Sequence, residues 1–103
     1  MTDFIFRILA PSVEISGRTE RFAVRRIFCV GRNYAEHARE FGNDERDPPF
    51  FFTKPADAIV PSGAALTYPS LTQDLLHEAE LVVAIGTGGR DIATKDAASH
   101  IFG

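Results

Sequence analysis

Two glutamates in the last third of the sequence, Glu78 and Glu80, have the type and spacing of metal-binding carboxylates. They open an apolar run over residues 78–86 that predicts a buried strand. Because side chains alternate along a strand, both carboxylates would lie on one face, with Cα atoms roughly 6.5–7 Å apart. Two carboxylates this close repel each other unless a proton or cation intervenes. Oxygen donors without cysteine favour a hard ion such as Mg²⁺, Mn²⁺ or Ca²⁺.

The Glu-x-Glu pattern also has a simpler interpretation. A pair of solvated glutamates at a strand end is its more common origin, since charged side chains are mostly exposed. The opposite face, which would carry Ala79, Leu81, Val83 and Ile85, predicts core packing in either case. Residue types alone leave both interpretations open.

A second candidate pair, His37 and Glu40, lies on a predicted helix over residues 34–41. Asn33 is a suitable N-cap, and Gly42 provides a left-handed stop. Positions i and i+3 share a helix face, so Glu40 would orient the imidazole of His37 as a general base toward water. An exposed helix with ordinary surface ion pairs explains the same residues.

Three further features carry weaker chemical indications. The Gly31-Arg32-Asn33 run joins a strand to a helix, but it lacks the glycine spacing of a phosphate-binding loop. Cys29 lies inside an apolar run, where a thiol usually packs without reacting. Lys54 is either a surface charge or a ligand for a substrate carboxylate.

The elements that would position these residues are mostly strands. Besides residues 78–86, the strand predictions cover residues 4–9, 22–24, 27–30 and 50–53. Three consecutive phenylalanines, Phe50 to Phe52, predict a deeply buried segment. A second helix is predicted over residues 93–102, with Thr94 as its N-cap. The predicted fold class is therefore α+β and mostly β.

Composition indicates one soluble domain. The 103 residues are 45% hydrophobic and 24% charged, and a net charge of -3 offers no basic surface for nucleic acid or an anionic membrane. A single cysteine excludes an intrachain disulfide, and no apolar run is long enough to span a bilayer. We expect a cytoplasmic protein with a modest core, whose charged loop at residues 43–49 is among its most mobile parts.

Three motifs, taken in order, resemble the fumarylacetoacetate hydrolase family. They are FCVGRNYAEH from Phe28 to His37, FFTKP from Phe51 to Pro55, and HEAELVVAIG from His77 to Gly86. The resemblance covers residues 26–103, and within the family it is nearest to the bacterial fumarylpyruvate and acylpyruvate hydrolases. Residues 1–25 resemble the variable N-terminal strands that precede this core.

The resemblance implies the mixed β-sandwich roll of that family, usually as a homodimer, and a role in aromatic catabolism. The implied reaction is metal-dependent cleavage of a C–C bond in a small oxo-acid, a 2,4-dioxo acid such as fumarylpyruvate. Glu78 and Glu80 would be two of three carboxylate ligands to Mg²⁺ or Mn²⁺. His37 and Glu40 would lie on a short lid helix that activates water, and Lys54 would contact substrate. Oxaloacetate decarboxylase and hydroxymuconate isomerase use the same platform, so the reaction stays open among the three.

Two departures from the family pattern affect these expectations. Leu76 stands where relatives often carry a histidine. The third carboxylate of the family is an Asp on a strand just after the point where this sequence ends, so residues 26–103 are expected to be the N-terminal part of the catalytic domain. Alone, the chain is expected to be inactive and either poorly folded or completed by a second polypeptide. A catalytically inert binding module is the alternative from another class.

Overall fold

The computed structural model describes residues 2–31 and 48–103. The chain divides into two compact units, Met1–Leu66 and Thr67–Gly103, and each is described by itself. The described residues form four short strands and two short 3-10 helices, so the predicted class, mostly β with little helix, is confirmed. No helix in the described ranges is long and apolar enough to cross a membrane.

The first two strands form an antiparallel hairpin. Strand β1 (Ser12–Glu14) pairs with β2 (Arg21–Ala23), with Val13 opposite Phe22. The connecting loop turns at Gly17, whose φ of 76° is a conformation that glycine adopts without steric cost. Arg21 fastens the pair, because its Nε donates a hydrogen bond of 2.8 Å to the Ser12 hydroxyl.

The strand prediction for residues 4–9 is wrong. These residues lie outside every strand, and five large apolar side chains there are strongly exposed: Phe4, Ile5, Phe6, Ile8 and Leu9. The predicted strand over residues 22–24 is confirmed with a shift of one residue, as β2. The hairpin uses residues just after Pro11 instead, since the Pro11 carbonyl accepts a hydrogen bond from Val24 N at 2.7 Å. The β1–β2 sheet has only two strands, so residues 4–9 do not pair as a third strand.

Strands β3 (Ile27–Gly31) and β4 (Phe50–Lys54) form a second antiparallel sheet, which confirms both strand predictions. Residues directly opposite each other point to the same face. One face therefore carries Ile27, Cys29, Gly31, Phe50, Phe52 and Lys54, and we call it the Lys54 face. The other carries Phe28, Val30, Phe51 and Thr53, and we call it the Phe51 face.

The phenylalanine run is not buried as predicted. Phe50, Phe51 and Phe52 are 49%, 67% and 46% exposed. The physical reason is that a sheet of two strands buries its faces only against a second layer, and no side chain of the described residues is fully buried. The modest core expected from composition is therefore absent from this part of the chain.

Gly31 is needed where the two strands close. The ring of Phe50 lies over it, so a Cβ at position 31 would collide with the ring carbons. Phe50 also contacts Phe52 on the same face, with ring centroids 6.1 Å apart. The aromatic side chains of β4 thus lean toward the glycine end of β3.

Pro55 ends β4. It has φ -64° and ψ 147°, and a short 3-10 helix (Ala56–Ala58) follows. A turn with Gly63 at φ 81° then follows Pro61, whose carbonyl accepts a hydrogen bond from Ala64 N. The chain leaves the sheet at Lys54 because proline has no N–H to continue the ladder.

The predicted helix over residues 93–102 is instead a 3-10 helix (Thr94–His100), and its N-cap is Ala93 rather than Thr94. The Ser99 hydroxyl donates to the Asp96 carbonyl three residues back, at 2.7 Å. That spacing matches the tighter 3-10 turn, and short polar side chains compete with the α-helical pattern in this way.

We expect Gly31→Ala to lower the free energy of unfolding by about 1–3 kcal/mol, because the new methyl group must displace the Phe50 ring. Chemical denaturation followed by circular dichroism measures the loss, and Gly88→Ala is the matched control, since a Cβ there meets nothing within 4 Å. In a Phe50→Ala background the cost of Gly31→Ala should largely disappear. An undiminished cost in that background would show that the ring is not its cause.

Candidate active site

The carboxyl-terminal unit is closed by backbone pairing between the end of the Glu-x-Glu run and the end of the chain. Ile85 and Ile101 form an antiparallel bridge. Ala84 N donates to the Gly103 carbonyl at 2.7 Å, and Phe102 N donates to the Ala84 carbonyl at 2.8 Å. This closure fixes the downstream end of the segment that carries the two glutamates.

A histidine side chain reinforces the closure. The Nδ1 of His100 lies 2.8 Å from the Thr87 carbonyl, and because a carbonyl only accepts, Nδ1 is the protonated nitrogen in this contact. The ring edge packs against Gly89, where a Cβ would lie 2.9 Å from the imidazole Cε1. Sequence analysis missed this role of His100. The sequence feature that could have indicated this role is a glycine pair, Gly88 and Gly89, followed by a histidine at the end of the next helix.

Glu78 and Glu80 lie upstream of the closure and are both exposed. The predicted strand over residues 78–86 is reduced to the bridge at Ile85, because the only segment that pairs with it in this unit is the short one that ends the chain. The predicted core face is likewise open: Leu81 is 83% exposed and Val83 is 47% exposed. A common face for the two carboxylates therefore remains a prediction.

The segment that leads into the glutamates is folded by local hydrogen bonds. The Tyr68 hydroxyl accepts a hydrogen bond from Leu75 N at 3.2 Å, and the Thr72 hydroxyl accepts one from Asp74 N at 3.1 Å. Leu76, at the position where relatives often carry a histidine, is 79% exposed. The Tyr68 contact was also missed from sequence, since no pattern there indicates that its hydroxyl accepts from a backbone amide.

Lys54 belongs to the amino-terminal unit, at the last position of β4. It is exposed, lies directly opposite Ile27, and shares its face with Cys29 and Phe52. Cys29 is half-buried and forms no disulfide. The ammonium group is therefore placed at the edge of an apolar strip, an arrangement suited to a carboxylate attached to a less polar body.

The structure brings only some of the predicted residues within one unit. Glu78 and Glu80 share the carboxyl-terminal unit, Lys54 lies in the amino-terminal one, and His37 and Glu40 lie outside the described residues with their predicted helix. Most of the loop predicted to be mobile also lies outside them. Within residues 2–31 and 48–103, no group of three or more His, Cys, Asp or Glu side chains is placed to hold a metal ion.

A separate hollow of about 560 Å³ lies beside the β1–β2 hairpin and Ser62. Its charged side chains neutralise one another: Arg18 pairs with Glu20 at 2.8 Å, and Arg21 lies 3.6 Å from Glu14. The hollow is open and its ion pairs are exposed, so it has no preference for an anionic or cationic ligand.

Comparison with known proteins supports the motif-based resemblance. The sequence model described as "Fumarylacetoacetate (FAA) hydrolase C-terminal" matches residues 26–103. Mitochondrial oxaloacetate decarboxylase of Dictyostelium discoideum is 44% identical over 80 residues, which are 77% of this chain and 37% of that protein. Mitochondrial oxaloacetate tautomerase of Homo sapiens is 38% identical over 79 residues, 77% of this chain and 36% of the relative.

Two solved structures share the fold. Fumarylpyruvate hydrolase from Pseudomonas aeruginosa, in complex with Mn²⁺ and pyruvate, has a TM-score of 0.87 and 53% identity, over 97% of this chain and 46% of that one. A proposed fumarylpyruvate hydrolase from Burkholderia cenocepacia has a TM-score of 0.81 and 55% identity, over 97% of this chain and 42% of that one. The chain thus spans less than half the length of each of these relatives.

We expect His100→Ala to accelerate hydrogen exchange of the Gly86 and Thr87 amides roughly two- to tenfold, the effect of losing one exposed hydrogen bond. Both amides donate to the His100 carbonyl, so they report directly on the closure. Lys95→Ala, within the same 3-10 helix, is the control. Equal exchange rates in wild type and His100→Ala would mean that the backbone pairing alone holds the unit together.

Proposed function

Because the chain belongs to the fumarylacetoacetate hydrolase family, we propose that it contributes the amino-terminal part of a metal-dependent hydrolase that cleaves a C–C bond in a 2,4-dioxo acid such as fumarylpyruvate. The observation that carries this proposal is the likeness to the Pseudomonas aeruginosa hydrolase, at 53% identity and a TM-score of 0.87. That protein was solved with Mn²⁺ and pyruvate. Pyruvate is the fragment that hydrolysis of an acylpyruvate releases.

Glu78 and Glu80 are the residues that we assign to the metal. Their carboxylates are hard oxygen donors, both exposed and separated by one residue, and this chemistry suits Mg²⁺ or Mn²⁺ better than a soft ion. The described residues contain no third donor beside them, so the pair would provide only part of the coordination shell. When bound, the ion would polarise the substrate oxygens and stabilise negative charge that develops on them.

The remaining roles belong to protein side chains. His37 takes a proton from water as the water oxygen bonds to the distal carbonyl carbon, and Glu40 holds the imidazole in orientation. Cleavage of the C–C bond then leaves a carboxylic acid and a pyruvate enolate, which gains a proton at carbon. Lys54 binds a substrate carboxylate from its position at the end of β4.

Oxaloacetate chemistry is a second candidate, and the curated relatives favour it. The Dictyostelium decarboxylase and the human tautomerase are 44% and 38% identical over most of this chain. Oxaloacetate also pairs a carboxylate with an adjacent oxo group, so the same residues would bind it. Hydroxymuconate isomerisation stays a further alternative on the same platform. Turnover of fumarylpyruvate, acetylpyruvate and oxaloacetate, assayed side by side with Mn²⁺ and the completed fold, separates the candidates.

Metal binding tests the carboxylate assignment and the alternative of an inert binding module. We expect Glu80→Gln to weaken Mn²⁺ binding at least about tenfold, because changes to residues that only support a ligand already cost 10–100-fold. Isothermal calorimetry measures the affinity. Asp74→Asn makes the same change of charge outside the motif and should leave the Mn²⁺ affinity unaltered. Identical affinities for Glu80→Gln and wild type would exclude Glu80 as a ligand and favour the binding module.

Turnover tests the assignment of His37. In the complete enzyme we expect His37→Ala to lower kcat by about 10²–10⁴-fold, the usual contribution of a general base, with little change in Mn²⁺ affinity. Glu78→Ala should behave in the opposite way: its Mn²⁺ affinity should fall before kcat at saturating Mn²⁺ does. Steady-state kinetics at saturating Mn²⁺ distinguishes the two variants, and wild-type turnover in His37→Ala would remove the general-base role.

A further inference from the structure

The turn that follows the Glu-x-Glu segment is held by one residue through both its backbone and its side chain. The His100 carbonyl accepts hydrogen bonds from Gly86 N at 2.8 Å and from Thr87 N at 3.2 Å. The Nδ1 of the same histidine donates back to the Thr87 carbonyl, at 2.8 Å. Thr87 is therefore bound to His100 at both its N–H and its C=O group, and the imidazole adds a contact that backbone pairing does not supply.

Backbone pairing by itself defines the register of this closure only weakly. Its centre is the bridge between Ile85 and Ile101, with a hydrogen bond on either side. Three of the four residues 86–89 are glycine. Glycine-rich strands are prone to slip, because they offer few side chains whose packing differs between one register and the next.

The imidazole of His100 fits one register. Its Nδ1 needs the Thr87 carbonyl, and its Cε1 edge lies 2.9 Å from where a Cβ at Gly89 would be, so the ring occupies the space that the glycine leaves. A slip of one residue would move Nδ1 and the carbonyl apart by roughly the 3.3 Å rise of a strand residue, which breaks the hydrogen bond. The side chain thus distinguishes registers that the backbone does not.

The register in turn decides where the two glutamates are directed. Because side chains alternate along a strand, the face predicted for Glu78 and Glu80 is also that of Ala84, opposite to that of Ile85. A slip of one residue would turn this whole set of side chains to the other face. Two carboxylates whose direction is already fixed lose less conformational freedom when they bind an ion.

We propose that His100 is a positioning residue for the metal site: its hydrogen bond to Thr87 fixes the register of residues 78–87 and so the face to which Glu78 and Glu80 point. The effect on metal binding rests on the proposed function, whereas the effect on register does not. In this role His100 acts through the backbone rather than as a ligand, and what it needs is the N–H at Nδ1.

NMR spectroscopy of the complete enzyme measures the register directly. An Hα–Hα cross-peak between Ile85 and Ile101 is expected, since the Cα atoms of a non-hydrogen-bonded antiparallel pair lie about 4.5 Å apart. In His100→Phe, which keeps a ring but has no donor, this cross-peak should lose intensity and the Gly86 and Thr87 amides should exchange about two- to tenfold faster. His100→Asn, whose side-chain N–H group is also attached to Cγ, should restore both.

Mn²⁺ affinity tests the positioning role, measured by isothermal calorimetry at a temperature where every variant is folded. We expect His100→Phe to weaken binding about three- to tenfold, the effect of losing one hydrogen bond, and His100→Asn and the control Lys95→Ala to stay within about twofold of wild type. In a Glu80→Gln background the effect of His100→Phe should shrink, because residues that act through one another are not additive.

The two parts of the proposal fail separately. Either an undiminished Ile85–Ile101 cross-peak or wild-type Mn²⁺ affinity in His100→Phe would overturn the positioning role. A loss of affinity that His100→Asn does not recover, or that is equal in both Glu80 backgrounds, would overturn it as well. Equal Mn²⁺ affinities for wild type and Glu80→Gln would instead exclude the metal assignment, and the cross-peak would then decide the register role alone.

Discussion

The pairing of only two strands in each sheet is the constraint on which the rest of this structure depends. A lone antiparallel pair satisfies half of its backbone groups and has no second layer for its side chains, so it is marginal in water. The exposed aromatic side chains on both faces of the β3–β4 sheet follow from this. Local contacts such as Phe50 on Gly31 offset only part of that exposure.

Sequence patterns predicted those elements whose signals are local. The strands β3 and β4 follow from continuous apolar runs, and the end of β4 follows from Pro55, because these signals act on the residues that carry them. The run over residues 78–86 has an equally strong strand signal but pairs only around Ile85. Strand formation needs a partner, and a pattern within one segment does not show whether a partner is present.

Burial was predicted less well than secondary structure, for the same reason. Three consecutive phenylalanines indicate a segment that is buried once a second layer covers it, yet hydrophobicity does not identify the element that supplies the layer. The 3-10 helix ending at His100 shows a different limit. There the Ser99 hydroxyl donates to the Asp96 carbonyl and the His100 ring contacts the Thr87 carbonyl, and neither contact depends on helical periodicity.

In the candidate site, residue types could be predicted from the sequence but their arrangement could not. Glu78, Glu80 and Lys54 were identifiable as candidates from motifs, because the chemistry proposed for them requires particular functional groups at particular spacings. Their arrangement was not, because Lys54 is held by one sheet and the glutamates precede a separate closure at Ile85 and Ile101. A metal site with so few donors from one segment depends on elements that bring further groups to it. The metal binding proposed for Glu78 and Glu80 therefore requires donors from elements that lie apart from them in sequence, and patterns within one segment do not identify those elements.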